Sequence, residues 1–167
     1  MDRTLDATLL HLVRLRLTKD YPGQIDACLD GLTDEQIWWR PNEQANAVGN
    51  LVLHLAGSNH FYLDHAVGGQ PLVRDRDAEF ATRETIAKNE LRHRWQASVS
   101  ATDAVLAALE PSRMIETTDR TGKTTTIAQI LLHVTHHNAT HMGQIVWITK
   151  MLQPGTLDDI WMKMRTK

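Results

Sequence analysis

The 167-residue sequence predicts an all-α fold, a four-helix bundle with short connecting helices. Three observations predict it. Four long stretches carry apolar residues at helical spacing, capping and turn residues stand at their boundaries, and strand-like alternation is almost absent.

Leu5, Leu9 and Leu12, with Leu10, Val13 and Leu17 beside them, form the apolar stripe of the first helix. The stripe pauses at Tyr21-Pro22-Gly23 and resumes through Ile25, Cys28, Leu29 and Leu32, so a kink or restart is expected at Pro22, which cannot donate a backbone hydrogen bond. Thr33, with Gln36 three positions later, is a capping box for a short helical turn ending by Pro41, with Trp38 and Trp39 anchoring the connection. Asn46 is expected to cap the second helix, residues 47–67, which Gly68-Gly69 stops. On it Leu51, His54, Leu55, Ser58, Phe61 and His65 share one broad face.

Residues 71–77, with Arg74-Asp75-Arg76-Asp77, read as a solvated, ion-paired loop, and Thr82 as the cap of a third helix reaching about Leu109. Leu91, Trp95, Val99 and Leu106 supply its apolar side, interrupted by Thr102. The polar segment 114–125 is a loop or a small hairpin turning at Thr121-Gly122-Lys123. Thr126 and Gln129 repeat the capping box, opening a fourth helix that runs to about Leu152 and ends at Gln153-Pro154-Gly155. Leu157, Ile160, Trp161 and Met164 suggest a short closing helix, and Trp95, Trp147 and Trp161 read as core or interface aromatics.

The length fits one domain, residues 1–167. A net charge of -2 lacks the basic excess of a nucleic-acid binder. Cys28 is the only cysteine, which excludes an internal disulfide and a thiolate metal site, and it reads as an inert core thiol. The N-terminus has no signal-peptide order and no apolar run is long enough to span a bilayer, so a cytoplasmic protein is expected.

The histidines carry the chemistry. Four of nine fall between His133 and His141. His137 and His141 are four apart on one helix face, about 5–6 Å apart at Cβ, so both imidazoles can reach one ion. His54, set among apolar residues, is the best third ligand; three nitrogens leave a position open, as in catalytic zinc sites. His133 and His137 form a competing pair with the same spacing, and periodicity does not separate the two. His11, His60, His93 and His136 read as structural or exposed, and His65 lies roughly 16 Å along the helix from His54, too far for the same ion. Asn138 occupies the position where a helical zinc protease has its glutamate, and no carboxylate lies between Gln129 and Leu152, which disfavours both protease and di-iron readings. No acidic general base is apparent beside the ligands.

Several segments together resemble the DinB/YfiT-like superfamily of metal-dependent enzymes: Trp39-Arg40-Pro41-Asn42, the run from Gly49 through His54 to Gly57, the run from Arg74 to Phe80, and His137-Asn138-Ala139-Thr140-His141-Met142-Gly143-Gln144-Ile145. The resemblance covers about residues 7–152. It implies an up-down-down-up bundle, often a homodimer, holding zinc or nickel on three histidines that fall here on His54, His137 and His141, which decides against His133 as a ligand. Some relatives are transferases or isomerases that use bacillithiol, mycothiol or glutathione.

Two functions follow. The first is an enzyme in which the divalent ion binds a low-molecular-weight thiol or water and lowers its pKa, with His133 and Asn50, each about one turn from a ligand, orienting the bound species or passing a proton. Thiol transfer to a small-molecule substrate is favoured over hydrolysis. The alternative is a non-catalytic, stress-related bundle that binds metal or small molecules.

Overall fold

The computed structural model describes residues 4–83 and 86–157. Helix α1 (Leu5–Leu15) is capped by Thr4, whose hydroxyl accepts the Ala7 N–H, and a π-helical turn (Arg16–Asp20) carries it into α2 (Tyr21–Gly31). The break expected at Pro22 is a widened turn instead. The Tyr21 N–H reaches back to the Arg16 carbonyl directly ahead of the proline ring, so the helix accommodates the ring without ending. Burial corrects the stripe on α1: Leu10, Val13 and Leu17 face the core, whereas Leu5 (84% exposed), Leu9 and Leu12 do not.

Helix α3 (Asp34–Ile37) has the expected Thr33–Gln36 capping box, and Trp38 beyond it is buried. The second bundle helix is α4 (Val48–Asn59), continued by a π-helical stretch (His60–Val67) and closed by Gly68. Asn46 does not cap it. Ala47 stands at the cap, and its N–H is bound from inside the helix by Asn50 Oδ1 at 3.2 Å. Gly69 follows at φ 77°, the left-handed conformation that favours glycine.

The crossover to the third bundle helix departs most from expectation. Asp75 accepts the Ala78 N–H and opens a short helix, α5 (Arg76–Ala81), while Arg74 turns inward to an ion pair, so this segment is not simply a solvated loop. Thr82 ends α5, its N–H and hydroxyl both donating to the Ala78 carbonyl. Helix α6 (Lys88–Ala108) begins later, and the Lys88 N–H is held by Asp34 Oδ1 at 3.0 Å. A cap supplied from α3 leaves no local signature.

A 3₁₀ turn (Pro111–Ile115) leads to the hairpin of β1 (Thr117–Thr118) and β2 (Thr125–Thr126), antiparallel, with Thr117 opposite Thr126 and Gly122 at φ 85°. Helix α7 (Ile127–Leu152) opens with the expected Thr126–Gln129 capping box. Leu157 is buried; Ile160, Trp161 and Met164 lie outside the described residues. Trp95 is fully buried, but Trp147 is 62% exposed and does not belong to the core.

Side-chain pairings fix the directions of the helices. Arg14 with Asp103 and Asp30 with Arg92 set α1–α2 antiparallel to α6; Ser98 on Ala56 and Val105 beside Gly68 set α6 parallel to α4 and its π-helical extension. His54 with His141 and Tyr62 with His133 set α4 and its π-helical extension antiparallel to α7. The bundle is therefore up-down-down-up, with α4 packed between α6 and α7.

Two apolar clusters fill it. One gathers Ile25, Leu29, Leu51, Leu55, Leu91, Trp95 and Ile145; the other Leu10, Leu17, Leu63, Leu106, Ile130 and Val134. Between them lie the buried polar residues Thr18, Ser58, Asn59, Thr102 and Asn138, contributed by all four bundle helices. Among the described residues no helix is long and apolar enough to cross a membrane.

Candidate metal centre

The polar middle of the bundle opens on one side to His54 of α4 and to His137 and His141 of α7. The i, i+4 spacing stacks the last two on one face, and antiparallel packing brings His54 against both. The three ring centroids stand 4.9, 4.9 and 4.5 Å apart, with interplanar angles of 66°, 88° and 77°. One ring nitrogen from each lies within 4.8 Å of the others, and His54 Nε2 is 3.0 Å from His137 Nε2. Ligands on one tetrahedral zinc with bonds of ~2.05 Å sit about 3.3 Å apart, so the donors need little rearrangement.

The opposite ring nitrogens define the tautomers. His54 Nδ1 donates to Glu79 Oε2 at 2.9 Å and His141 Nδ1 to Gln144 Oε1 at 2.7 Å, while Ser58 Oγ lies 3.4 Å from His137 Nδ1. With the protons on Nδ1, three Nε2 lone pairs converge. That arrangement is repulsive by itself and suited to a cation. Burial, with His141, His54, His133 and Arg74 close by, pushes His137 down to about 3, and burial also lowers His141 despite its Gln144 bond, so both stay neutral and available as ligands.

His133 stands apart from the three. It is exposed, its ring stacks 5.8 Å from His137, and Tyr62 packs against it at 4.7 Å. Asn50, expected to orient a bound species, is fully engaged with protein groups. Its Nδ2 donates to the carbonyls of Glu79 and Thr82, and its Oδ1 accepts from Ala47 N–H and Arg40, so it acts on the centre only through α5. Asn138 turns to Asn59 and the Val134 carbonyl within the core. His65 donates to the Gln70 carbonyl, and His60 pairs with Asp64.

The expectation of no carboxylate near the ligands is corrected by Glu79. It is buried on α5, takes two hydrogen bonds from Arg74 at 2.7 and 2.8 Å, and also holds His54. Burial raises its carboxyl pKa, but the bonds and charges of Arg74 and His54 outweigh that and leave it below the usual range. Ser58 and Gln144 were legible, four residues after His54 and three after His141. Glu79 is on a separate element and had no such periodicity to reveal it.

A family model described as mycothiol-S-transferase matches residues 17–150. Among solved structures, the chain is similar to a DinB-like protein, YjoA, from Bacillus subtilis, at a TM-score of 0.65 and 18% identity, over 87% of this chain and 94% of that one. At that identity the likeness concerns the fold. No curated protein matches.

Proposed function

The chain belongs to the mycothiol-S-transferase family, and we propose on that premise that it is a metal-dependent enzyme joining the sulfur of a low-molecular-weight thiol to an electrophilic small molecule. The observation that carries this reading is the convergence of three Nε2 atoms while each Nδ1 faces another partner. The all-imidazole donor set suits zinc or nickel. An ion on three protein ligands leaves a position for the thiol and lowers its pKa.

The chain's own groups supply the rest. His137, neutral by virtue of its burial, keeps its lone pair free of competing protons. Exposed His133 beside it would take the thiol proton and return it to the electrophile's leaving atom, which departs with the electron pair of its bond to carbon as the S–C bond forms. Phe80, its ring 4.5 Å from that of His54, gives the electrophile an apolar wall. The reading includes a cytoplasmic homodimer, for which an apolar groove of about 380 Å³ between α1 and α7, lined by Leu9, Leu12, Leu131 and Leu132, offers a surface to a second copy.

Elemental analysis of tag-free protein, followed by a screen of mycothiol, bacillithiol and glutathione against electrophiles, tests the proposal. About one zinc or nickel per chain, with turnover that His137→Ala abolishes, is the expected result. Protein that takes up neither ion, and turns over nothing above the variant, would leave a histidine-rich binding bundle in place of an enzyme.

A further inference from the structure

Glu79 reaches His54 through a set of contacts that an ordinary surface ion pair would not need. Its carboxylate is held on both oxygens by Arg74, and both side chains are nearly buried, at 9% and 11% exposure. The Glu79 backbone is pinned separately: fully buried Asn50 donates to its carbonyl at 2.9 Å and to that of Thr82 at 3.0 Å, tying the end of α5 onto the first turn of α4. Gly57, on the face of α4 next to His54, leaves the space the carboxylate occupies. A Cβ there would come 1.9 Å from Oε1 and 2.8 Å from the carboxyl carbon. Phe80, the next residue of α5, packs on the His54 ring. Glu79 and Arg74 thus reach His54 Nδ1, at 2.9 and 3.4 Å, while Asn50, Gly57 and Phe80 fix the element and the space that bring them there.

We infer that Glu79, oriented by Arg74 and admitted by Gly57, is the positioning residue of the centre: it fixes His54 as the Nδ1–H tautomer and aims its Nε2 at the point where His137 and His141 converge. The inference rests on the reading of the three histidines as metal ligands. A carboxylate on the far nitrogen makes an imidazole a stronger donor and stops its rotation, and loss of such a partner typically lowers metal affinity about 10–100-fold. The three histidines then differ in kind. His54 is held by an anion, whereas His137 and His141 are held by a neutral hydroxyl and a neutral amide. His141 is held from within α7 and His137 by Ser58 of the facing bundle helix, whereas His54 is the one held from the short crossover helix α5.

The test measures zinc affinity by competition with a chromophoric chelator, and the His54 tautomer by ¹⁵N–¹H correlation on the metal-free protein, in wild type, Glu79→Gln, Glu79→Ala and Gly57→Ala. Thermal unfolding serves as a check on folding. Expected are the Nδ1–H tautomer at His54 in wild type, its loss in Glu79→Ala, and zinc binding weakened about 10–100-fold in that variant. Glu79→Gln, which keeps an acceptor without the charge, should fall between. Gly57→Ala, with the carboxylate intact but displaced, should weaken zinc binding too; it and Glu79→Gln carry the test if Glu79→Ala does not fold. Wild-type affinity in the folded variants, or an Nε2–H tautomer at His54 in wild type, overturns this inference while leaving the metal site standing. Wild-type protein that binds no zinc overturns the site itself, and the inference with it.

Discussion

The polar middle of the bundle and the apolar cluster around Leu17, Leu63 and Leu106 are buried to a similar depth but built on opposite principles. In the apolar cluster the side chains need only volume and shape, and hydrocarbons from every bundle helix supply both. In the middle, Thr18, Ser58, Asn59, Thr102 and Asn138 put polar groups into the buried interior. Some of them are imperfectly satisfied: Asn59 Nδ2 and Thr102 Oγ1 are buried without a partner among the described residues. Unpaired buried polar atoms destabilise, by about 1–3 kcal/mol each. The layer is therefore not optimised for stability, and its position beside Ser58 and His137 ties it to the centre. The apolar cluster holds the fold together, and the middle spends some of that stability on positioning ligands.

This contrast is sharpest in a pair of substitutions. Leu63→Ala, at a site with no exposed surface, is expected to lower unfolding free energy by about 2–5 kcal/mol in urea while metal stoichiometry of the folded protein stays unchanged. His137→Ala should do the reverse, removing the bound ion while the metal-free protein unfolds no earlier, since it relieves a desolvated imidazole facing two others. If both changes lowered stability and metal content in parallel, the two regions would be one cooperative unit and the distinction would fail.

A smaller effect concerns the place where the apolar half continues to the surface. Leu9 and Leu12, each 46% exposed, and Leu132, 59% exposed, extend it into the groove between α1 and α7. Leu12→Glu should halve the mass measured by light scattering with little change in helical content, as expected of a charge placed in an apolar contact between copies. A mass already that of one chain in the wild type would confine the apolar half to a single copy.

The smallest effect belongs to the rim. The hydrogen bond from Arg14 holds the Asp103 carboxyl below its ordinary value of 3.8, against a weaker opposing contribution from burial. A depressed folded-state value means that the contribution is complete above the unfolded value and is lost as pH falls through the folded one. Wild type should therefore exceed Asp103→Asn slightly in urea midpoint at ~pH 6, with the gap closing as the pH falls below the ordinary value of 3.8. Both side chains are 42% exposed, so added salt should shrink it further. A gap that persists in acid would trace to packing instead.

Local sequence was sufficient where the causes are local. Thr33 with Gln36 and Thr126 with Gln129 cap because both partners lie within one turn, and His137 and His141 share a face because four residues nearly complete a turn. The hairpin around Gly122 and the stop at Gly69 follow from backbone freedom at those two residues. The sequence by itself thus determined the four bundle helices, the ends marked by local caps and glycines, and the histidine stripe.

Tertiary structure decided what depends on neighbours remote in the chain. Helix α1 has leucines on two sides, and only packing on α6 and α7 buries Leu10, Val13 and Leu17 rather than Leu5, Leu9 and Leu12. The start of α6 is set by Asp34, from another helix. Glu79 and Arg74 meet His54 across a crossover that has no period to read, and Gly57 looks like an ordinary helix glycine until the carboxylate above it is seen. Periodicity records which residues of one helix share a face; it carries no information about which face another element will cover.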